Sequence, residues 1–218
     1  MTVSDVKPTF VLHTTRLSAN GRKPLAVSHH LGLAPEIRGV NVYAGEGRSP
    51  AYLALNPLGK IPTLVDGDFT LSESNAIVVY VSEAHGGLRL FSREPRARAD
   101  ILRWLFWESS HWQPSLSLVL APIVGHRLLP KVVPAPASAP DWAHAQLAPQ
   151  LAFLEAQLAG RAFLTGSELT LADFAVGGMT TYFRAADFPW SAWPNIRAWC
   201  GRLDALEAWQ ASADPLWS

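Results

Sequence analysis

The sequence predicts a small α/β domain followed by an all-helical domain. Short apolar runs that are typical of buried strands occur only before residue 86, and long helical patterns fill the rest of the chain. The change in character falls at Gly86-Gly87. Because 218 residues allow one large domain or two small ones, we expect an α/β domain over residues 1–86, a linker over 87–93 and a helical domain over 94–218.

The predicted α/β domain begins with a strand, a helix and a second strand. Residues 9–13 form an apolar run that is typical of a buried strand. A helix is expected over residues 21–31, with Asn20 as its N-cap and Pro24 late in its first turn, where a missing N–H costs little. The weakly alternating residues 36–42 are expected to form the second strand.

A hairpin and a helix complete this domain. Residues 63–65 and 69–71 flank Asp66-Gly67-Asp68, which is typical of a tight turn between antiparallel strands. Residues 74–83 carry an apolar stripe at helical spacing, and Gly86-Gly87 ends it. The predicted order is therefore strand, helix, strand, hairpin and helix.

The predicted helical domain starts with one long helix over residues 95–124, which is rich in Trp, Phe and Leu. Pro114 and Pro122 are expected to kink or break this helix. Proline and alanine dominate residues 130–140, which indicates a loop. Three further helices are expected over residues 141–158, 171–186 and 194–206.

Composition and charge exclude several classes of protein. The 18 basic and 18 acidic side chains give a formal net charge of zero, so no basic surface for nucleic acid or anionic membranes is expected. A single cysteine, Cys200, excludes an internal disulfide and a four-cysteine zinc site, and His29-His30 has no matching third ligand, so no metal is expected. No run approaches the roughly 18 apolar residues of a membrane span, and no signal peptide is evident. We therefore expect a cytoplasmic protein.

The pattern that carries chemistry is Asn56-Pro-Leu-Gly-Lys-Ile-Pro-Thr-Leu64 followed by Leu71-Ser-Glu-Ser-Asn-Ala76. Ile61-Pro62 lies between a loop and a strand, where a cis bond would free the Ile61 backbone to pair with a peptide-like ligand. Ser74 lies near the start of a helix, whose N–H groups bind anions, and Glu73 could pair with an ammonium group. These pieces imply a small peptide with a free α-amino-acid end.

The alternative explanation of the second segment is purely structural. Ser72 and Ser74 would be helix caps, and Glu73 would be a first-turn acid that is favoured by the helix dipole. This alternative accounts for each residue alone. It does not account for the proline, the strand, the hairpin and the Glu-Ser pair in this order.

Together with Phe163-Leu-Thr-Gly-Ser-Glu-Leu-Thr-Leu-Ala-Asp-Phe174, these segments resemble the cytosolic glutathione S-transferases. The resemblance covers nearly the whole chain. It implies a thioredoxin-like glutathione-binding domain followed by an all-helical domain that lines the pocket for an electrophile. Thr170 and Asp173 form an N-capping box, which is structural in that family, so Asp173 is not expected to be catalytic.

The resemblance implies glutathione as co-substrate, and no metal. Its binding residues carry over to Glu73 and Ser74 for the γ-glutamyl head group, Ile61 and the cis-proline Pro62 for the cysteinyl backbone, and Lys60 with Arg48 for the glycyl carboxylate. For Arg48 the alternative is a solvated loop arginine.

The family places the group that activates the thiol in the loop after the first strand, as a Tyr, Ser or Cys. No tyrosine or cysteine precedes Tyr43, so tyrosine-type and cysteine-type enzymes are excluded. Ser18 falls where theta, delta and phi enzymes hold their serine, four residues before an arginine. The run Ser-Ala-Asn-Gly also resembles the Thr-x-Asn-Gly of bacterial nu-class enzymes, which adds Asn20 as a sulfur contact. The alternatives are a loop hydroxyl for Ser18 and a plain N-cap for Asn20.

The implied electrophile pocket would be lined partly by the first long helix of the second domain. Trp107 and His111 share one face of that helix with Trp104, and Trp112 is adjacent. An aromatic stripe at this spacing can equally be packed core, which is the alternative for all of these residues.

The resemblance implies a homodimeric enzyme of detoxification that adds glutathione to a small apolar electrophile, or reduces a disulfide or peroxide with it. Two alternatives stay open. One is a glutathione-dependent isomerase or dehalogenase, although the Ser-Ser-Cys element of maleylacetoacetate isomerases is absent from this loop. The other is a non-catalytic binding or scaffold protein, which would not need Lys60, Pro62, Glu73 and Ser74 beside Ser18.

Overall fold

The structure, a computed structural model, describes residues 9–86, 90–128, 130–131, 133–135, 139–186 and 188–215. These residues divide into two units. The described residues up to 86, together with Glu207–Asp214, form the first unit, and Leu90–Leu206 forms the second. The predicted fold class, a thioredoxin-like α/β domain followed by an all-helical domain, is confirmed.

The first unit is organised by a sheet that has four strands within the described residues. They are β1 (Val11–Thr14), β2 (Glu36–Gly39), β3 (Thr63–Asp66) and β4 (Phe69–Ser72), and their order in the sheet is β2-β1-β3-β4. Strand β1 is parallel to β2 and antiparallel to β3, and β3 and β4 form the predicted hairpin around Gly67. Leu12 on β1 lies opposite Leu64 on β3, and both side chains are fully buried.

Two helices of this unit, the first and the third, pack against each other. Helices α1 (Ala19–His30) and α3 (Ser74–Ala84) contact each other, and α2 (Pro50–Leu55) lies between them in sequence. The second strand ends earlier than predicted, at Gly39, and residues 42–44 form a 3-10 turn instead.

Helix α1 begins two residues earlier than the sequence predicts. Its N-cap is Ser18, whose hydroxyl oxygen accepts from the Gly21 N–H at 3.2 Å, so the prediction of Asn20 as N-cap is wrong. Serine and asparagine cap helices about equally well, so residue type alone does not choose between them. Pro24 consequently lies inside the helix. Because proline has no backbone N–H, the Asn20 carbonyl lacks the helical hydrogen bond that residue 24 would otherwise donate.

Helix α9 (Glu207–Ala211) belongs to the first unit, unlike the predicted boundary, which assigned residues 94–218 to the helical domain. The helix packs on α1 through Arg22, which is 6% exposed. The Arg22 guanidinium lies 3.9 Å from the Trp209 ring centroid and donates to the Trp209 carbonyl at 2.9 Å and the Ser212 hydroxyl at 3.2 Å. A buried cation needs such partners, which explains the attachment.

Of the predicted linker over 87–93, the structure describes residues 90–93, and residues 87–89 lie outside the described residues. Leu90 and Phe91 are buried, and the Leu90 carbonyl accepts from the Leu171 N–H at 3.0 Å. These two residues therefore pack as part of the helical unit.

The helical unit departs from prediction where the first long helix was expected. That helix is divided by a π-helical turn over Glu108–Trp112, just before Pro114, which has no N–H to continue the α-helical pattern. The predicted helix over 171–186 changes to a 3-10 helix at Met179, and the predicted loop over 130–140 lies partly outside the described residues. The helices are α4 (Pro95–Trp107), α5 (Gln113–Leu128), α6 (Asp141–Leu158), α7 (Leu171–Gly178) and α8 (Pro194–Asp204).

The predicted N-capping box at the start of α7 is confirmed. The Asp173 carboxylate accepts from the backbone N–H groups of Leu164 at 2.9 Å and Thr170 at 3.0 Å, and from the Trp199 indole at 3.0 Å. Burial raises the pKa of Asp173, and these hydrogen bonds oppose that rise. The carboxylate thus ties α7, α8 and the preceding loop together.

None of the helices in the described ranges combines the length and the apolar character that crossing a membrane requires.

Candidate functional site

The amino-terminal ends of α1 and α3 meet in the first unit. The Ser74 hydroxyl, at the start of α3, donates to the Asn20 carboxamide oxygen on α1 at 3.3 Å. Ser74 is only 8% exposed. Two predicted site segments that are far apart in sequence are therefore brought into direct contact.

Ser18 keeps a hydrogen-bond donor available. Its oxygen accepts from the Gly21 N–H, and its own hydrogen has no acceptor among the described residues. The nearby hydroxyl of Thr14 is different, because it is fully buried and a Cβ at Gly21 would collide with it. Of these two hydroxyls, only that of partly exposed Ser18 can reach a ligand.

Asn20 also keeps a donor. Its carboxamide oxygen is occupied by Ser74, while its carboxamide nitrogen has no acceptor within the part of the chain that the structure describes. Ser18 and Asn20 thus present an O–H and an N–H2 donor side by side at the positive end of α1.

Glu73 has an unusual backbone and no capping role. It precedes α3 with φ at 68° and ψ at 112°, a conformation that costs a residue other than glycine about 1–3 kcal/mol. Its carboxylate makes no cap hydrogen bond, and the first turn of α3 holds no acidic residue. Ser72 ends β4, and Ser74 is inside the helix, so neither serine is the N-cap. The alternative, in which the serines cap α3 and Glu73 is a first-turn acid, therefore does not describe this segment.

The segment Lys60-Ile61-Pro62 is held by a buried polar cluster. The Ile61-Pro62 bond is cis, as predicted. The Lys60 carbonyl accepts from the Tyr52 hydroxyl and the Asn56 carboxamide, both at 2.8 Å, and both of these side chains also contact the Thr63 hydroxyl. The backbone N–H and C=O of Ile61 have no partner within the described ranges.

Sequence reasoning missed this supporting cluster. Asn56 and Thr63 are inside the motif that carried the resemblance, so their presence was a usable signal. Tyr52 gave none, because nothing in an isolated helical segment shows that its hydroxyl reaches the Lys60 carbonyl.

Arg48 and Lys60 lie near each other on the exposed side of this segment. Gly47 and Gly59 pack backbone to backbone, and a Cβ at Gly59 would come within 3.3 Å of the Arg48 guanidinium. Gly59 has φ at 65°, a conformation that favours glycine. The loop that carries Arg48 is thus anchored beside exposed Lys60.

Lys23 is a further residue that sequence reasoning missed. It lies on α1 and is fully buried, and its ammonium donates to the Ser74 hydroxyl and the Asn75 carboxamide oxygen, both at 3.4 Å. A lysine inside an amphipathic helix gives no sequence signal that it is buried.

The predicted pocket residues of the helical unit differ in how far they are buried. Trp112 is fully buried, and its indole donates to the Val176 carbonyl at 3.1 Å, so it is packed core and its predicted pocket role does not fit. Trp107 is half-buried, stacks on Trp112 at 5.5 Å and donates to Gln150. His111 is exposed. The π-helical turn changes which side chains share a helix face after Trp107. The sequence prediction assumed regular α-helical spacing there.

No group of three or more His, Cys, Asp or Glu side chains in the described ranges is arranged to hold a metal ion.

The chain is similar to known proteins over most of its length. Residues 12–89 match the family profile described as Glutathione S-transferase, N-terminal domain, and residues 118–202 match that of the C-terminal domain. Glutathione S-transferase 3 of Zea mays is 37% identical over 207 residues, which cover 91% of this chain and 90% of that protein. Glutathione S-transferase theta-2 of Homo sapiens is 31% identical over 183 residues, covering 80% and 72%.

A solved structure of a delta-class glutathione transferase from Nilaparvata lugens superposes with a TM-score of 0.84 at 25% identity, covering 96% of this chain and 95% of that one. The theta and delta names agree with the predicted resemblance to serine-type enzymes. The chain belongs to the glutathione S-transferase family.

Proposed function

We propose that this chain binds glutathione at the adjoining amino-terminal ends of α1 and α3 and ionises its thiol for attack on a small apolar electrophile. The observation that carries the proposal is the contact between Asn20 and Ser74, which leaves the donors of Ser18 and Asn20 unused beside it. The proposed sites for the anionic head group and for the developing thiolate would therefore be contiguous.

The γ-glutamyl end of glutathione would bind at the start of α3. The N–H groups of a first helical turn have no partners within the helix. They would take the α-carboxylate together with the Ser74 hydroxyl, whose hydrogen would turn from the Asn20 oxygen to the ligand. The exposed Glu73 carboxylate, which is not used as a cap, would take the ammonium group. The strained Glu73 backbone supports a binding role, because such strain persists where function requires it.

The remaining parts of the tripeptide would follow the cis-proline segment. The unpaired Ile61 backbone would bond to the cysteinyl residue, as strands pair in a sheet. Lys60, with Arg48 beside it, would face the glycyl carboxylate. The buried Tyr52 and Asn56 would keep this segment in place by holding the Lys60 carbonyl.

Thiol activation requires only a modest free energy. A free thiol has a pKa of about 8.5, and the thiolate is the nucleophile. Lowering the pKa by about two units corresponds to about 2.7 kcal/mol. One or two donated hydrogen bonds at the positive end of a helix can supply this, so no general base on the protein is required.

Reduction of a disulfide or peroxide is a second candidate, favoured by the available carboxamide nitrogen of Asn20 beside Ser18. A glutathione-dependent isomerase or dehalogenase would use the same thiolate, whereas a scaffold protein would bind glutathione weakly or without ionising it. Assays of electrophiles, disulfides and peroxides with glutathione distinguish the enzymes, and the pKa of the bound thiol separates all of them from a scaffold.

We also propose that the protein is a cytoplasmic homodimer with a role in detoxification. Family membership supports this assembly. Sedimentation at micromolar concentration is expected to give twice the monomer mass of 23.8 kDa. A species with the monomer mass would contradict the homodimer.

Replacing Ser74 by alanine is expected to weaken glutathione binding by about 1.5–3 kcal/mol, because a hydrogen bond to a charged carboxylate is lost. Calorimetric titration with glutathione measures this change. Ser72→Ala is the matched control, since Ser72 ends β4 and is given no contact with the ligand. Equal affinities for the parent and Ser74→Ala, with both folded, would remove Ser74 from the site.

A further inference from the structure

The backbone carbonyl of Lys60 is held by two buried side chains of the first unit. The Tyr52 hydroxyl and the Asn56 carboxamide both donate to it at 2.8 Å, and these side chains belong to residues that are only 5% and 3% exposed. A carbonyl oxygen has two lone pairs, so both of its acceptor positions are occupied. The peptide group that carries this oxygen is therefore fixed in direction from the interior of the unit.

The fully buried Thr63 hydroxyl completes a closed set of hydrogen bonds. The Asn56 carboxamide oxygen accepts from the Leu58 N–H at 3.1 Å. Its nitrogen therefore faces Lys60 and Thr63 and gives one hydrogen to each. Because Tyr52 gives its single hydrogen to Lys60, the Thr63 hydroxyl, 3.0 Å away, donates to the Tyr52 oxygen. The Thr63 oxygen is also 3.5 Å from the Lys60 carbonyl, which makes Thr63 a reserve donor to that carbonyl.

The direction of the Lys60 carbonyl decides the direction of the Ile61 N–H. Both groups belong to one planar peptide unit, and in a trans peptide they point in opposite directions. The Lys60-Ile61 bond is trans, whereas the next bond, Ile61-Pro62, is cis. Because the carbonyl points toward the buried side chains, the Ile61 N–H points away from them, and it has no acceptor in the part of this unit that the structure describes. It is therefore available to a ligand.

We infer that Tyr52, with Thr63 as its reserve, is a positioning residue that turns the Ile61 N–H toward the cysteinyl carbonyl of bound glutathione. The inference rests on the proposed function. Neither hydroxyl is placed in contact with glutathione. Without both of them, only Asn56 would hold the Lys60 carbonyl, and the peptide group could rotate so that its N–H leaves the ligand.

The test measures the affinities of Tyr52→Phe, Thr63→Val and the double variant for two ligands by calorimetry. One ligand is glutathione, and the other is γ-glutamylcysteamine, which has the head group and the thiol but no cysteinyl carbonyl. The double variant is expected to bind glutathione about tenfold more weakly than the parent, as for one lost hydrogen bond, and γ-glutamylcysteamine with nearly the parent affinity. Tyr52→Phe alone is expected to cost about twofold to threefold, because Thr63 can still donate to Lys60, and Thr63→Val alone should cost less.

Tyr80→Phe is the matched control. The Tyr80 hydroxyl donates to the Asp66 carboxylate at 2.8 Å within the same unit, and it is given no role at the site. Its removal should lower the free energy of unfolding, as removal of the Tyr52 hydroxyl should, and should leave both affinities unchanged. A loss of glutathione affinity in Tyr80→Phe as large as in the double variant would overturn the inference.

Hydrogen exchange of the Ile61 amide gives a second measurement, which also decides the matter if γ-glutamylcysteamine binds too weakly for calorimetry. Bound glutathione should slow this exchange in the parent and in Tyr80→Phe, and should not slow it in the double variant. Equal protection of the Ile61 amide in the parent and the double variant would show that the two hydroxyls do not orient it.

Two affinity results would also overturn the inference. One is equal glutathione affinity for the parent and the folded double variant. The other is an equal loss for the two ligands, which would mean that the hydroxyls act by general loosening of the unit. If the double variant does not fold, Tyr52→Phe replaces it, and a selective loss of at least twofold for glutathione is then the expected result.

Failure of the proposed function has a different signature. In that case the parent protein itself would show no glutathione binding, or a bound thiol that titrates like free glutathione. A parent that binds glutathione with a depressed thiol pKa, together with an unchanged affinity in the double variant, would reject this inference alone.

Discussion

Removing the side-chain donors of both Ser18 and Asn20 is expected to return the pKa of bound glutathione to nearly that of the free thiol, about 8.5. Each single substitution is expected to cost less than the pair. Both donors act on one developing charge, so the remaining donor partly compensates for the missing one, and the effects are not additive. Turnover at neutral pH should fall with the thiolate fraction, and much of it should return at higher pH, because ionisation is lost while positioning is kept.

The choice of substitution at Ser18 matters, because its hydroxyl also caps α1. Ser18→Ala would remove the cap, at a typical cost of about 1 kcal/mol of stability, whereas glycine at an N-cap costs only a few tenths. Ser18→Gly therefore removes the sulfur donor with little change in the helix. Combined with Asn20→Ala, it gives the double variant for the titration.

Four titration curves that overlap, for the parent, both single variants and the double variant, would contradict this assignment. The activating group would then be a backbone N–H at the start of α1 or the partly exposed Thr15, since the Thr14 hydroxyl is buried beneath Gly21.

The largest expected effect on stability follows from replacing Asp173 by alanine. The substitution would leave three N–H donors, on Leu164, Thr170 and Trp199, without their acceptor. Each buried donor that loses its partner costs about 1–3 kcal/mol, so the free energy of unfolding is expected to fall by about 3 kcal/mol or more. Urea unfolding monitored by circular dichroism measures this change.

Two matched variants sharpen the Asp173 experiment. Asp173→Asn keeps one acceptor oxygen, and its loss of stability should be intermediate. Glu168→Ala removes an exposed carboxylate on the same loop and should change stability by less than about 0.5 kcal/mol. A loss below about 1 kcal/mol for Asp173→Ala would mean that the capping box is not a main support of the helical unit.

Local sequence signals predicted those features whose causes are local. The hairpin around Gly67 and the capping box of Thr170 and Asp173 depend on residues within a few positions of each other, and both are present as predicted. The cap of α1 was assigned to Asn20, because serine and asparagine two residues apart are nearly equivalent as caps.

Features that depend on tertiary contacts were not predictable in the same way. The buried position of Lys23 and the contact of Tyr52 with the Lys60 carbonyl require knowing which helix faces which segment. The attachment of α9 to Arg22 joins residues that are far apart in the chain. Trp107 and His111 were placed on one helix face by ideal helical spacing, and the π-helical turn before Pro114 changed that spacing.

We expect this chain to lower the pKa of the glutathione thiol at the joined ends of α1 and α3. The thiolate absorbance of glutathione bound to the unmodified protein, recorded across a pH series, measures that pKa directly. The bound thiol should titrate about two units below the value of about 8.5 for the free thiol. A bound thiol that titrates like free glutathione would show that the chain does not activate it.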